Sequence, residues 1–177
     1  GPQAAARPGV DGSGWRAQER GADFEMGWRK NGMNAAWQGF ADELASWRDS
    51  GRAVEFWWRD DDAARPDPAL ARLFALSRRT STPLAAAVIP MQAEERAFES
   101  AGSTVSILQH GTDHRNRARE GEKKTEFPAS EPVGDAIVRL AAARERLAAW
   151  ARGRFAPVLA PPWNRLPKSL APHLAVA

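Results

Sequence analysis

Three consecutive carboxylic acids, Asp60, Asp61 and Asp62, follow directly after the largely aromatic run FWWR at 56–59. Adjacent acids repel one another, and a site built in this way normally binds a cation or shares a proton. The alternative is a solvated turn or the first turn of a helix, where Asp is favoured without any chemical role. The triplet by itself leaves both interpretations open.

Two histidines four residues apart, His110 and His114, form a second group with ligand chemistry. The chain has three histidines and no cysteine, so the protein ligands of a metal would have to be imidazoles and carboxylates. The pair alone would also suit a surface loop. Because the pair and the acid triplet both follow predicted strands, we interpret them as two halves of one metal site. Two histidines and one carboxylate leave a coordination position open, as in catalytic sites.

A second carboxylate beside the metal ligand has an obvious task. It can accept a proton from a water molecule while the metal polarises a carbonyl and lowers the pKa of that water. The residue types therefore predict hydrolytic chemistry.

Alternating strands and helices must position these groups. Apolar runs predict strands at 53–58, 84–89, 104–109 and 155–159, and helical spacing predicts helices beginning near residues 34, 68, 92 and 132. The charged, aperiodic segment 115–131 predicts a long polar loop. This order predicts an α/β fold with a parallel sheet, in which the acids, the histidines and the loop at 161–163 share one edge.

Aromatic residues in the first half of the chain are expected in the core. Trp37 and Phe40 begin an apolar stripe at helical spacing, which predicts a helix that packs against the rest of the domain. Trp57 lies within the first predicted strand, and we expect it to be buried.

The combined pattern resembles the polysaccharide deacetylase family, also called carbohydrate esterase family 4 or the NodB homology domain. The family's first motif pairs a base Asp with a metal-binding Asp, and its second is His, Ser or Thr, two residues, then His. The segment RDDD at 59–62 is similar to the first motif, and HGTDH at 110–114 keeps the spacing of the second with Gly at its second position. The loop APPW at 160–163 resembles the third motif but lacks its Arg.

The resemblance, which covers about residues 35–177, implies a role for each matching residue. Asp60 would be the general base, and Asp61, His110 and His114 would bind one divalent metal ion, usually Zn²⁺ in the family. Asp62 is the alternative ligand, with Asp61 then the base, because the sequence does not determine the register of the triplet. Trp163 and Pro162 would line the groove for substrate.

The family also implies a fold and an activity. The fold is a partial or distorted (β/α) barrel with fewer than eight strands. The activity is removal of an acetyl group from an N-acetylated or O-acetylated carbohydrate. A segment carrying a catalytic acid is expected beyond residue 177, so a non-catalytic module that binds metal or glycan is the alternative. A partial barrel exposes a sheet edge, which favours a homo-oligomer.

The composition argues against several other classes of protein. The net charge of +3 comes from 25 basic and 22 acidic residues that are dispersed along the chain, so nucleic acid is not an expected partner. No apolar run approaches the roughly 20 residues that span a bilayer, and no secretory signal is visible, which predicts a cytoplasmic location by default and no membrane partner. Residues 1–32 lack a sustained period, which predicts a poorly ordered leader before a domain at 33–177.

Overall fold

Four strands and three helices make up the regular structure of residues 35–53 and 55–174, which the computed structural model describes. The chain forms two compact units, Gly1–Glu55 and Phe56–Ala177. The first contains helix α1 (Ala35–Asp49). The elements of the second are β1 (Arg59–Ala63), α2 (Pro68–Thr80), β2 (Leu84–Val88), β3 (Val105–His110), α3 (Val133–Ala151) and β4 (Phe155–Ala160).

The strands form one sheet in the order β1-β2-β3-β4, and every neighbouring pair is parallel. The predicted α/β fold with a parallel sheet is therefore confirmed. All five residues of β2 are buried, as expected for a central strand covered on both faces. The carboxyl ends of all four strands consequently lie at one edge of this sheet.

The first strand begins later than the sequence pattern predicts. Residues 55–58 are not in a strand, and Phe56 and Trp57 are each 68% exposed, so the expectation that Trp57 is buried is wrong. The ladder with β2 begins at Arg59, which pairs with Ala85, and of the three acids it pairs Asp60. Cross-strand pairing with buried β2, and not the aromatic content of 53–58, decides where the strand lies. Val54 is outside the described residues.

The helices of the second unit bury one face each against the sheet. Asp67 caps α2 by accepting a hydrogen bond from the backbone of Ala69, as its position before Pro68 predicts. Buried residues of α2 and α3 pack with β1, β2 and β3 in one core cluster, whose largest members include Phe74, Phe98 and Leu147. The predicted helix near 92–100 is reduced to a 3-10 turn, Glu95–Phe98.

Helix α1 forms where its spacing predicts, but two of its aromatic residues are not buried. Trp37 is 52% exposed and Phe40 is 44% exposed. Their rings contact each other edge to face at 6.1 Å between centroids. The predicted leader at 1–32 lies outside the described residues. Within the described part of the chain, no helix combines the length and apolar character needed to cross a bilayer.

A buried serine joins α2 to the start of β3 at the edge of the sheet opposite the acids. Ser77 is fully buried, and its hydroxyl lies 2.7 Å from both the carbonyl oxygen of Thr82 and the hydroxyl of Thr104. We expect Ser77→Ala to lower the free energy of unfolding by about 1–2 kcal/mol, because it removes two partly buried hydrogen bonds of the Ser77 hydroxyl. Urea denaturation measures this change. Exposed Ser130 provides the control, since Ser130→Ala should change stability by less than about 0.5 kcal/mol.

Candidate metal centre

The acids, the histidines and the aromatic loop meet at the carboxyl edge of the sheet, as the strand order predicts. Asp62 lies near the end of β1, His110 is the last residue of β3, and His114 follows four residues later. Trp163 lies in the 3-10 turn Pro162–Asn164 directly after β4. The separate motifs of the sequence thus come from three strands of one sheet.

One carboxylate oxygen faces both imidazoles. Asp62 Oδ1 lies 3.1 Å from His110 Nε2 and 3.1 Å from His114 Nε2. The three donor atoms all lie within 4.8 Å of one another, so one ion could contact all of them. The His110 side chain is 4% exposed, whereas that of Asp62 is 63% exposed, which leaves the group accessible from one side.

The hydrogen bonding of His110 indicates what must lie between these atoms. Its Nδ1 is 2.9 Å from the carbonyl oxygen of Ala160, which can only accept, so Nδ1 carries a hydrogen. In the neutral imidazole, Nε2 then presents a lone pair to the Asp62 carboxylate, which also only accepts. Either a proton on Nε2 or a cation is needed at this contact. A backbone carbonyl that orients the imidazole in this way is the usual outer partner of a metal-binding histidine.

The distances fit a divalent ion. Nitrogen and oxygen ligands at about 2.0–2.1 Å from a tetrahedral zinc lie roughly 3.3 Å apart, close to the observed separations. Two imidazoles and one carboxylate are also the ligand types that borderline metals such as zinc accept. The donor set and its spacing therefore suit one divalent ion with a position left open.

The structure places Asp62, and not Asp61, against the two histidines. The Asp61 carboxylate instead receives two bonds from Arg59, with Nε 2.7 Å from Oδ1 and Nη2 3.0 Å from Oδ2. The same Nη2 donates to Asn164 Oδ1 at 3.4 Å, which joins β1 to the turn after β4. The geometry thus favours the alternative register of the triplet, in which Asp62 is the ligand.

An irregularity in β1 explains this register. Asp60 pairs with Ala86 and Ala63 pairs with Val88, so β1 advances three residues while β2 advances two. Asp62 lies within this irregular stretch and has a positive φ of 66°. Bulges of this kind redirect side chains near active sites. The local pattern DDD gives no sign of it.

Asp60 belongs to the cleft beside the metal group. The three acids line a cavity of about 370 Å³ together with residues 63–67, the first turns of α2 and Gln92. Burial raises the pKa of Asp60 above its ordinary value, and the charges of Asp61 and Asp62 add to this effect. The carboxylates therefore interact across the mouth of one cleft.

The aromatic loop contacts the group directly. The Trp163 ring lies 4.4 Å from the His114 ring between centroids, and the two histidine rings stack at 5.2 Å. Pro162 is buried and approaches Gly111. Trp163, which was predicted to line a substrate groove, thus lies at the metal group, whereas Pro162, predicted to line the same groove, is fully buried.

Left-handed backbone conformations concentrate around this site. Asp62, His114, Trp163 and Asn164 have φ between 52° and 66°. Within the described residues, the other non-glycine residues with positive φ are Ser81 and Arg152, each at the end of a helix. Such conformations persist only where surrounding contacts maintain them, and they are typical of functional sites.

The loop between the histidines is held by the segment 115–131, which the sequence indicated only as polar. Arg117 Nη1 and Nη2 donate to Asp113 Oδ1 and Oδ2, each at 2.8 Å. This hydrogen bonding lowers the pKa of Asp113 and raises that of Arg117. Glu126, in the same segment, is fully buried against Thr112. The nearest sequence signal is Phe127-Pro128, an apolar break in a charged run.

Comparisons with known proteins give one limited likeness. No model of a protein family and no curated protein matches the chain. A solved structure described as "T48 deacetylase with substrate" is similar, with a TM-score of 0.48 and 16% sequence identity. The match covers 69% of this chain and 58% of that chain, so this chain corresponds to little more than half of that protein.

Proposed function

We propose that this protein is a metal-dependent hydrolase that removes an acetyl group from an N-acetylated or O-acetylated carbohydrate. The observation that carries the proposal is the convergence of Asp62 Oδ1 with the Nε2 atoms of His110 and His114, at 3.1 Å from each. The order of the three sequence motifs, which resembles the polysaccharide deacetylases, supports the same conclusion. On this proposal, the four-stranded sheet is part of a distorted (β/α) barrel.

Asp62, His110 and His114 would hold one divalent ion, with Zn²⁺ the first candidate. When bound, such an ion would polarise the acetyl carbonyl and make an attacking water more acidic. The protein's own contribution is to present three donor atoms that are already oriented. His110 is fixed by its bond to Ala160, and His114 is packed against Trp163.

Asp61 is the general base in this proposal. It directly precedes the ligand Asp62, which preserves the order of base and ligand in the resemblance while shifting it by one residue. Arg59 donates to both oxygens of Asp61 and also to Asn164, so the carboxylate is held in a defined orientation. Arg59 would therefore orient the base, the task that the resemblance assigns to the Arg missing from the third motif.

The walls of the site suit a sugar ring. Trp163 offers an aromatic surface beside His114, and the cleft lined by the three acids adjoins the group. Aromatic rings pack against the apolar faces of sugars, while carboxylates accept hydrogen bonds from sugar hydroxyls. These contacts would orient an acetylated sugar with its acetyl group towards the metal ligands.

A non-catalytic module that binds metal or glycan is the second candidate. The observation that favours it is the two-point contact of Arg59 with Asp61, which occupies both oxygens of the carboxylate proposed as the base. A carboxylate held in this way must release part of this contact to accept a proton. The two candidates therefore differ in turnover.

The test is acetate release by zinc-loaded protein from N-acetylated and O-acetylated oligosaccharides. We expect release that stops when the metal is removed by a chelator and returns when zinc is restored. Stoichiometric metal without any acetate release would support the binding module. Absence of bound metal would contradict the hydrolase and a metal-binding module, and would leave only a module that binds glycan.

A further inference from the structure

We propose that Glu126 is the positioning residue that holds the loop between His110 and His114 in its metal-binding shape. This inference rests on the metal site of the proposed function. It assigns to the polar segment 115–131 a role that its composition does not reveal. Glu126 does not touch the metal ligands' donor atoms and acts through the loop's backbone.

The contacts of one carboxylate oxygen carry the inference. Glu126 Oε1 accepts hydrogen bonds from the backbone N–H groups of Thr112 and Asp113, at 2.9 and 3.1 Å, and from the Thr112 hydroxyl. These are the two residues immediately before His114. One acceptor oxygen therefore binds three donors of the loop. These bonds orient the backbone immediately before His114.

The burial of Glu126 indicates that the fold depends on these contacts. Its side chain is fully buried, a state that acidic residues rarely adopt without compensating partners. Arg117 Nη1 lies 3.7 Å and Arg139 Nη1 lies 3.8 Å from Oε1, so two cations offset the carboxylate. Arg139 also donates to the Thr112 hydroxyl at 3.2 Å and is itself paired with Glu131.

The second oxygen explains the glycine in the histidine motif. Glu126 Oε2 has no hydrogen-bond partner and sits against Gly111, where an added Cβ would come within 2.0 Å of it. Pro162 Cγ would be 2.7 Å from the same position, and Gly111 has a φ of 62°. The loop is thus enclosed between Glu126 and Pro162, and the residue after His110 must be glycine.

The experiment compares Glu126→Ala with Glu126→Gln, using Co²⁺ as the probe and competition with a chelator to measure affinity. Glu126→Ala should weaken Co²⁺ binding by about 10–100-fold, the usual effect of losing an outer-shell partner. Glu126→Gln retains an oxygen that can accept from both N–H groups, so its affinity should lie closer to that of the parent. Thr112→Val, which keeps the backbone donors and removes the hydroxyl, should give a smaller loss than Glu126→Ala.

Amide hydrogen exchange of the metal-free protein separates this inference from the proposed function. The amides of Thr112 and Asp113 should be protected in the parent and lose protection in Glu126→Ala. If Glu126→Ala lost this protection while the parent bound no metal, the positioning role of Glu126 would be supported and the metal site would be contradicted. Unchanged amide protection in Glu126→Ala, or unchanged Co²⁺ affinity in the same variant, would overturn the positioning role of Glu126.

Ser77→Ala is the matched control for stability. It removes partly buried hydrogen bonds at the opposite edge of the sheet, so it should destabilise the fold without changing Co²⁺ affinity. If Ser77→Ala weakened Co²⁺ binding as much as Glu126→Ala, the effect of Glu126 would be one of general stability and the inference would fail. If Glu126→Ala did not fold, Thr112→Val would decide, since it removes one of the three donors to Glu126, and parental Co²⁺ affinity in that variant would overturn the positioning role of Glu126.

Discussion

Alanine at His110 or His114, or asparagine at Asp62, is expected to abolish stoichiometric metal binding. Each change removes one of three converging donors, so the loss should exceed the 10–100-fold that follows removal of an outer partner. Asp61→Asn should retain the ion, because Asp61 is bonded to Arg59 and not to the histidines. Elemental analysis after dialysis against a defined zinc concentration measures the result.

The third histidine provides the matched control for this prediction. His173 lies in the exposed 3-10 turn Ala171–His173, so His173→Ala should bind zinc as the parent does. Full metal content in both His110→Ala and His114→Ala would contradict the site. Loss of metal in Asp61→Asn but not in Asp62→Asn would restore the register that places Asp61 among the ligands.

Asp61→Asn is expected to lower acetate release by about 10²–10⁴-fold, the usual contribution of general base catalysis, while zinc remains bound. An amide keeps the shape of the side chain but cannot accept a proton from water. Steady-state rates of acetate formation, measured alongside zinc content, distinguish loss of the base from loss of the metal. The rate should fall without a matching rise in KM, since the change acts on the chemical step.

Asp60→Asn is the matched comparison, because it makes the same chemical change one residue earlier. Asp60 lines the same cleft, so a modest change in rate is expected, well below that of Asp61→Asn. If Asp60→Asn abolished turnover and Asp61→Asn did not, Asp60 would be the base, as the first interpretation of the sequence holds. If both variants retained the parent rate, neither carboxylate would be the base.

Elements whose burial follows from local pattern were predictable. The continuous apolar run of β2 and the Asp67-Pro68 start of α2 are found where the sequence places them. The apolar spacing of α3 likewise predicts its buried Leu140 and Leu147. These features depend on side-chain spacing and capping, which are properties of short segments. The start of β1 was not predictable, because pairing with β2 determines it.

The segment 115–131 illustrates the limit of local reasoning. Its charges correctly predict an irregular loop, yet Glu126 and Phe127 within it are buried. Burial of a carboxylate depends on partners such as Thr112 and Arg139, which are 14 and 13 residues away in the chain. The periodicity of the sequence cannot predict such contacts, because they form only when the loop packs against the end of β3.

The sequence by itself determined that this protein would bring acids and histidines to one edge of a parallel sheet. Strands that alternate with helices run in one direction, so residues that follow them meet at the same edge. Only the tertiary structure decided which acid faces the histidines. The extra residue in β1 and the positive φ of Asp62 turn that carboxylate to His110 and His114 and leave Asp61 to Arg59. Pairing between strands sets that geometry, and three identical neighbouring residues cannot encode it locally.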